Sequence, residues 1–183
     1  MFGEGAEGGM TEGEWEGCGD PAVMLRHLAG LVPDATMRLF LVGCCRRVVP
    51  LLRDPRSLDA VEVAEWFARA VATSAQLAAA RVAAERAEGE ATAAAQEAEE
   101  LVFNAFDAEV WRELGATALA SRAAAGSAAP LAEAVATDAA CAAAEAAAAV
   151  ADDDWALALS TEQVAQCDLL RALVGWPVEP TTR

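Results

Sequence analysis

An adjacent cysteine pair, Cys44-Cys45, runs straight into an adjacent arginine pair, Arg46-Arg47, and this block is the first place in the chain to look for chemistry. The thiolate is the nucleophile and the metal ligand, and neighbouring positive charge favours it, so Cys44 and Cys45 are the candidate reactive thiols. Two considerations oppose that reading. Successive residues on a helix point about 100 degrees apart, so one ion does not readily take both sulfurs. Free cysteine is also among the most buried residue types, which makes two inert core thiols the plainer expectation. Cys18, Cys141 and Cys167 bring the total to five, an odd number without a C-x-x-C unit. That pattern argues for free thiols in a reducing, cytoplasmic setting rather than a disulfide framework.

The remaining titratable residues offer less. His27 is the single histidine, so any hydrolytic triad would have to use it, and no nucleophile elbow accompanies it. Glu62 and Glu65 have helical spacing, but a di-iron bundle needs two Glu-x-x-His units and one histidine cannot supply them. The triplet Asp152-Asp153-Asp154 lacks the spacing of a calcium loop and reads as a turn. The glycines between residues 3 and 9 precede no strand-to-helix phosphate motif. The sequence therefore predicts no catalytic residue, no bound metal and no cofactor, and it describes a protein that is not an enzyme.

Charge and composition narrow the partners. The 183 residues carry 29 acidic against 13 basic side chains, a formal net charge of -16, so the average field repels a phosphate backbone and nucleic acid is not an expected partner. Lysine, isoleucine and tyrosine are absent and alanine dominates, which favours helices and leaves strands poorly supplied. No apolar segment follows a basic start, and Glu133, Asp138, Glu145 and Asp152 interrupt the alanine runs, so neither a secretory signal nor a membrane span is expected.

The elements that must position these residues are helices. Met37, Phe40, Leu41, Cys44, Val48, Leu51 and Leu52 recur at steps of three and four, and Leu39, Val42, Cys45 and Val49 form a second apolar stripe. Arg38, Arg46 and Arg47 are left to face water. A helix apolar over most of its circumference belongs at the centre of a bundle. Gly43 within it predicts a neighbour crossing close by, and Pro50 ends it. Asp20-Pro21 and Asp54-Pro55 each read as a cap followed by proline in the first turn. The first of these helices presents Met24, Leu25, Leu28 and Leu31, with Gly30 at its end; the second buries Leu58, Val61, Val63, Ala64 and Phe67.

Thr73 with Gln76 opens an alanine-rich helix running to about Phe106, either an exposed arm or a close-packed one. Asp107 is the candidate cap for the next helix, and Ser127 with Pro130 marks its end. Leu131 to Val150 reads as helix, and Ser160 with Gln163 opens the last, whose face is Val164, Cys167, Leu170 and Val174, widened by Leu169 and Leu173. Residues 1–19, rich in glycine and glutamate, form a flexible acidic start with one short helical turn at Thr11–Glu14, from which Trp15 tucks against the domain. Residues 20–176 form a single domain and 177–183 a tail. The class is all-α, an irregular or antiparallel bundle of about six to seven helices.

The segments MTEGEWEGCGDPAVMLRHL, RLFLVGCCRRVVPLLRDPRSLDAVEVAEWFA and AQCDLLRALVGWPVEP together resemble an alanine-rich family of planctomycete proteins marked by a Cys-Cys-Arg-Arg helix block. Residues 78 to 160 have no counterpart in it, and Gly175-Trp176-Pro177-Val178-Glu179-Pro180 departs from the family's Gly-Asn-Pro-Phe-Arg-Pro ending. The family has no assigned activity, so the resemblance implies organisation without mechanism. The functional expectation is a soluble interaction or scaffold module that binds a protein partner or itself through contact residues Arg46, Arg47, Trp66, Trp111 and Trp155. A cysteine-based redox or metal-responsive domain is the alternative.

Overall fold

The computed structural model describes residues 10–100, 105–151 and 154–176. Outside it lie the Leu101-Val102-Phe103 run, Asp152 and Asp153, the first nine residues and the expected C-terminal tail, together with the side chains of Phe106 and Asp107. Among the described residues the chain forms α1 (Glu12–Gly17), α2 (Pro21–Leu28), α3 (Asp34–Arg47), a 3-10 turn (Val49–Leu51), α4 (Pro55–Ala68), α5 (Ser74–Glu100), α6 (Ala105–Ala128), α7 (Glu133–Ala149) and α8 (Trp155–Val174), and no strand. It is an all-α helical bundle.

The local chemistry explains most of the boundaries. Asp20 and Asp54 each accept a first-turn amide at 2.8 Å with proline behind them, so one orphan donor of α2 and one of α4 is satisfied. Thr11 with Glu14 and Thr73 with Gln76 form reciprocal capping boxes at α1 and α5. Gly30 takes a φ of +74° just past α2, a conformation that favours a residue without Cβ.

Three boundaries differ from expectation. The helix α6 is already formed at Ala105, two residues before Asp107. The last helix begins at Trp155, where Asp154 accepts the amides of Ala156 and Leu157 at 3.0 and 3.1 Å. Ser160 sits inside that helix and returns its hydroxyl to the Leu157 carbonyl, which is why it opens nothing. Residues 10–19 are not separate from the domain either. Trp15 is only 2 % exposed, and the Arg171 guanidinium reaches from α8 to the Trp15 and Cys18 carbonyls, tying α1 down.

The core has two textures. Around α3, Phe40, Leu41, Cys44, Cys45 and Val48 are enclosed by α4, α6, α7 and α8, together with Met24, Leu25, Leu28 and Leu170. Helix α3 is thus the axle of the bundle. It runs antiparallel to α8, with Gly43 against Leu169 and Arg47 against Glu162. The other half is alanine: α6 and α7 meet through Ala120, Ala123, Ala124, Ala139, Ala140 and Ala143, all buried. Side chains this small let the two backbones approach closely. Helix α5 packs on α6 through Leu77, Ala84 and Ala87; from Glu88 to Glu100 it buries no residue.

Several burial expectations are corrected. Arg38 does not face water: it is 4 % exposed, because α6 ends against it. Leu58, Val164 and Leu173 are exposed instead of buried. On α8 the inward positions go to Glu162 and Gln166, which bring their own partners: Arg47 for the carboxylate, and the Ala140 carbonyl, 2.9 Å from the Gln166 amide, for the glutamine.

Candidate functional site

Cys44 and Cys45 lie on the enclosed part of α3, each 1 % exposed. Burial pushes the Cys44 thiol well above its ordinary range and the Cys45 thiol up to about 12. Neighbouring arginines do not reverse this. Arg46 turns outward to the Glu65 carboxylate, and Arg47 makes a two-pronged pair with Glu162, Nε to Oε1 at 2.6 Å and Nη2 to Oε2 at 2.8 Å. Arg47 does pull the Cys44 thiol downward, but desolvation outweighs it. Cys141, half-buried on α7, and Cys167, fully buried on α8, are also pushed up by burial, Cys167 to about 12.

Alkylation of the native protein should follow this order. Cys18 is expected to react first and Cys44, Cys45 and Cys167 only at the rate of local opening, as read by mass spectrometry of quenched time points. Labelling of Cys44 as fast as Cys18 would restore it as a reactive thiol.

His27 belongs to an aromatic cluster that joins the two ends of the described chain. Its ring stacks on Trp176 with centroids 5.8 Å apart and a 15° interplanar angle, and Trp15 lies 6.2 Å from both rings. The Met10 amide donates to Nδ1 at 3.3 Å, which assigns the ring proton to Nε2; Nε2 itself is buried with no partner among the described residues. With Trp176 stacked on one face, Trp15 tilted beside both rings and, among the described residues, no carboxylate bonded to it, this histidine is placed as a packing residue. Sequence reasoning placed Trp15 against the domain but had no signal for Trp176, because the pairing spans nearly the whole chain.

The three tryptophans named as contact residues are all solvent-accessible, but they do not form one stripe. Trp66 sits at the C-terminal end of α4, beside Phe67, over whose ring the Arg38 guanidinium lies at 5.3 Å. Trp111 and Trp155 sit at the opposite end of the bundle, near the N-termini of α6 and α8. There, Leu51, Glu109, Arg112, Glu113 and Val150 line a cleft of about 180 Å³. At this end of the bundle Val110, Trp111, Val150, Trp155 and Leu157 are exposed, Trp155 by 54 % and Leu157 by 64 %, and of these Val150 lines the cleft. Arg53 pairs with Glu113 and Arg47 with Glu162 at this same end.

A second cleft, of about 170 Å³, lies at the other end between α2, α3 and α7, with Leu28, Val32, Met37 and Leu131 on its walls and the Asp34 and Glu133 carboxylates beside them. Neither cleft is lined by a histidine, cysteine or serine. Among the described residues no group of three or more histidine, cysteine or acidic side chains is arranged to hold a metal ion.

Fold and site together define an all-α bundle with large apolar side chains exposed at one end and with the Cys44, Cys45 and Cys167 thiols buried. Compared with protein families, curated proteins and solved structures, the chain matches none of them.

Proposed function

We propose that the chain is a non-enzymatic helical interaction module whose contact surface is the apolar end around Trp111, Trp155 and Leu157, and that its partner there is a second copy of itself. The observation that supports this most is that five large apolar side chains, two of them tryptophans, are exposed at one end of the bundle, where a cleft also opens. Single exposed apolar residues need no explanation, whereas several large ones exposed at the same end of a bundle fit an interface. Charge favours a second copy over a basic partner. Despite the net charge of -16, this end carries Arg53 and Arg112 among Glu109 and Glu113, a mixed-sign rim that can complement itself about a two-fold axis.

The acidic average supports a protein rather than a nucleic-acid partner. No helix among the described residues is long and apolar enough to cross a membrane, and five unpaired thiols suit the cytoplasm. The likeness to the planctomycete family rests on the quoted segments and belongs to the same proposal.

Sedimentation velocity over a range of protein concentrations tests it. Concentration-dependent association is expected, strengthening as salt screens the like net charges, and Leu157→Glu is expected to weaken it at least about tenfold by placing a carboxylate in the contact. A monomer at every concentration, or association indifferent to Leu157→Glu, overturns the reading.

A further inference from the structure

We propose that Cys18 and Cys167 are a dithiol site which a small-molecule disulfide oxidises to an intramolecular disulfide, stapling α1 to α8. The pair was not distinguished by sequence, since the residues lie on elements at opposite ends of the chain. The structure brackets it from both sides. On α8, Val164, Cys167 and Arg171 follow at steps of three and four and so share one face. Arg171 donates to the Cys18 carbonyl. A Cβ placed on Gly19, the next residue, would meet the Val164 Cγ2 atom at 3.7 Å. Cys167 stands between those two contacts, so the Cys18–Gly19 backbone passes over it.

The Cys18 Sγ atom donates to the Asp20 carbonyl oxygen at 3.3 Å, and burial, with smaller contributions from Cys18 and Asp20, pushes the Cys167 thiol up. Cys18 is half-buried and Cys167 is 0 % exposed, which sets the order of events. Cys18 loses its proton and its thiolate attacks one sulfur of the oxidant; the oxidant's S–S bond breaks, and one thiol leaves with that proton. The Cys167 thiolate then attacks the Cys18 sulfur of the mixed disulfide, the Cys18–Cys167 bond forms, and a second thiol leaves with the Cys167 proton. Two electrons pass from the protein dithiol to the oxidant, which is reduced to two thiols. The second step waits on local opening at the α1 C-terminus, because Cys167 is enclosed and its thiol is held protonated.

The test is oxidation of the reduced full-length chain with oxidised glutathione, followed by alkylation in denaturant and non-reducing peptide mass spectrometry. The expected product is a monomer with Cys18 linked to Cys167, and Cys44, Cys45 and Cys141 alkylated. In Cys167→Ala, Cys18 should instead accumulate as the glutathione mixed disulfide, and in Cys18→Ser no intramolecular link should form. Cys18 lies outside the helices, so Cys18→Ser keeps the proposal testable should the Cys167 variant fail to fold. A native chain that stops at the mixed disulfide, pairs other cysteines, or gives no link overturns it. The self-association surface lies at the other end of the bundle and is read by sedimentation, so either proposal can fail without the other.

Discussion

Arg38→Met is expected to destabilise the fold by about 3 kcal/mol, a drop in melting temperature of roughly 6–12 °C for a chain of this size. The guanidinium donates to the Ser127 carbonyl at 2.5 Å and forks onto the Ala129 carbonyl at 3.1 and 3.2 Å. These are end-of-helix carbonyls of α6, and Pro130 follows them without an amide to offer. Methionine keeps much of the apolar stem and leaves the carbonyls buried without donors.

Replacing a buried charge by an apolar residue is often neutral when its partner is replaced as well. Here the partners are backbone and stay behind, so the unmet acceptors decide the sign. The burial that lowers the Arg38 pKa is offset in part by Asp34, one turn earlier, and among the described residues no carboxylate forms an ion pair with this arginine. Arg38→Lys, which can hold one carbonyl but not fork across two, should lose about half as much. Denaturant titration of the three proteins checks this, and equal stability of Arg38→Met and the native chain would show that the carbonyls find other donors.

Gly126→Val is expected to cost about 3 kcal/mol, because α6 and α7 cross there with nothing flexible between them. A Cβ on Gly126 would lie 2.6 Å from the Ala139 Cβ and 3.6 Å from its Cα. An alanine side chain has no far end to rotate away, so the helices themselves must part. Gly126→Ala sets a smaller clash against a helix-propensity gain of about 1 kcal/mol and should net about 1–2 kcal/mol of loss. Ala139→Gly in the same chain removes the clashing atom. A double-mutant cycle should therefore show a coupling of about 1–2 kcal/mol, and additive losses would mean that the crossing is not the cause.

Gly43 makes the contrast. Its added Cβ would meet the Leu169 Cδ2 at 2.5 Å, the movable tip of a side chain, so Gly43→Ala should be within about 1 kcal/mol of neutral. Gly89 has nothing within 4 Å, and Gly89→Ala should stabilise α5 by up to about 1 kcal/mol.

The amino-acid sequence by itself determined the all-α class, the starts of α2, α4 and α5, the close neighbour at Gly43 and the enclosure of Phe40 and Cys44. Each rests on information within a few residues: a cap and its amides, a proline, or a period that leaves one stripe to bury. Tertiary structure alone decided which charges went inside. Arg38 and Glu162 look like surface residues locally, and they are buried because the α6 carbonyls and Arg47 meet them there. The same holds for the His27–Trp15–Trp176 cluster, for Cys18 opposite Cys167, and for the separation of Trp66 from Trp111 and Trp155. Every one of these depends on helices distant in the chain lying side by side. Helical periodicity says that a face must be covered, while the identity of the covering group follows only from packing.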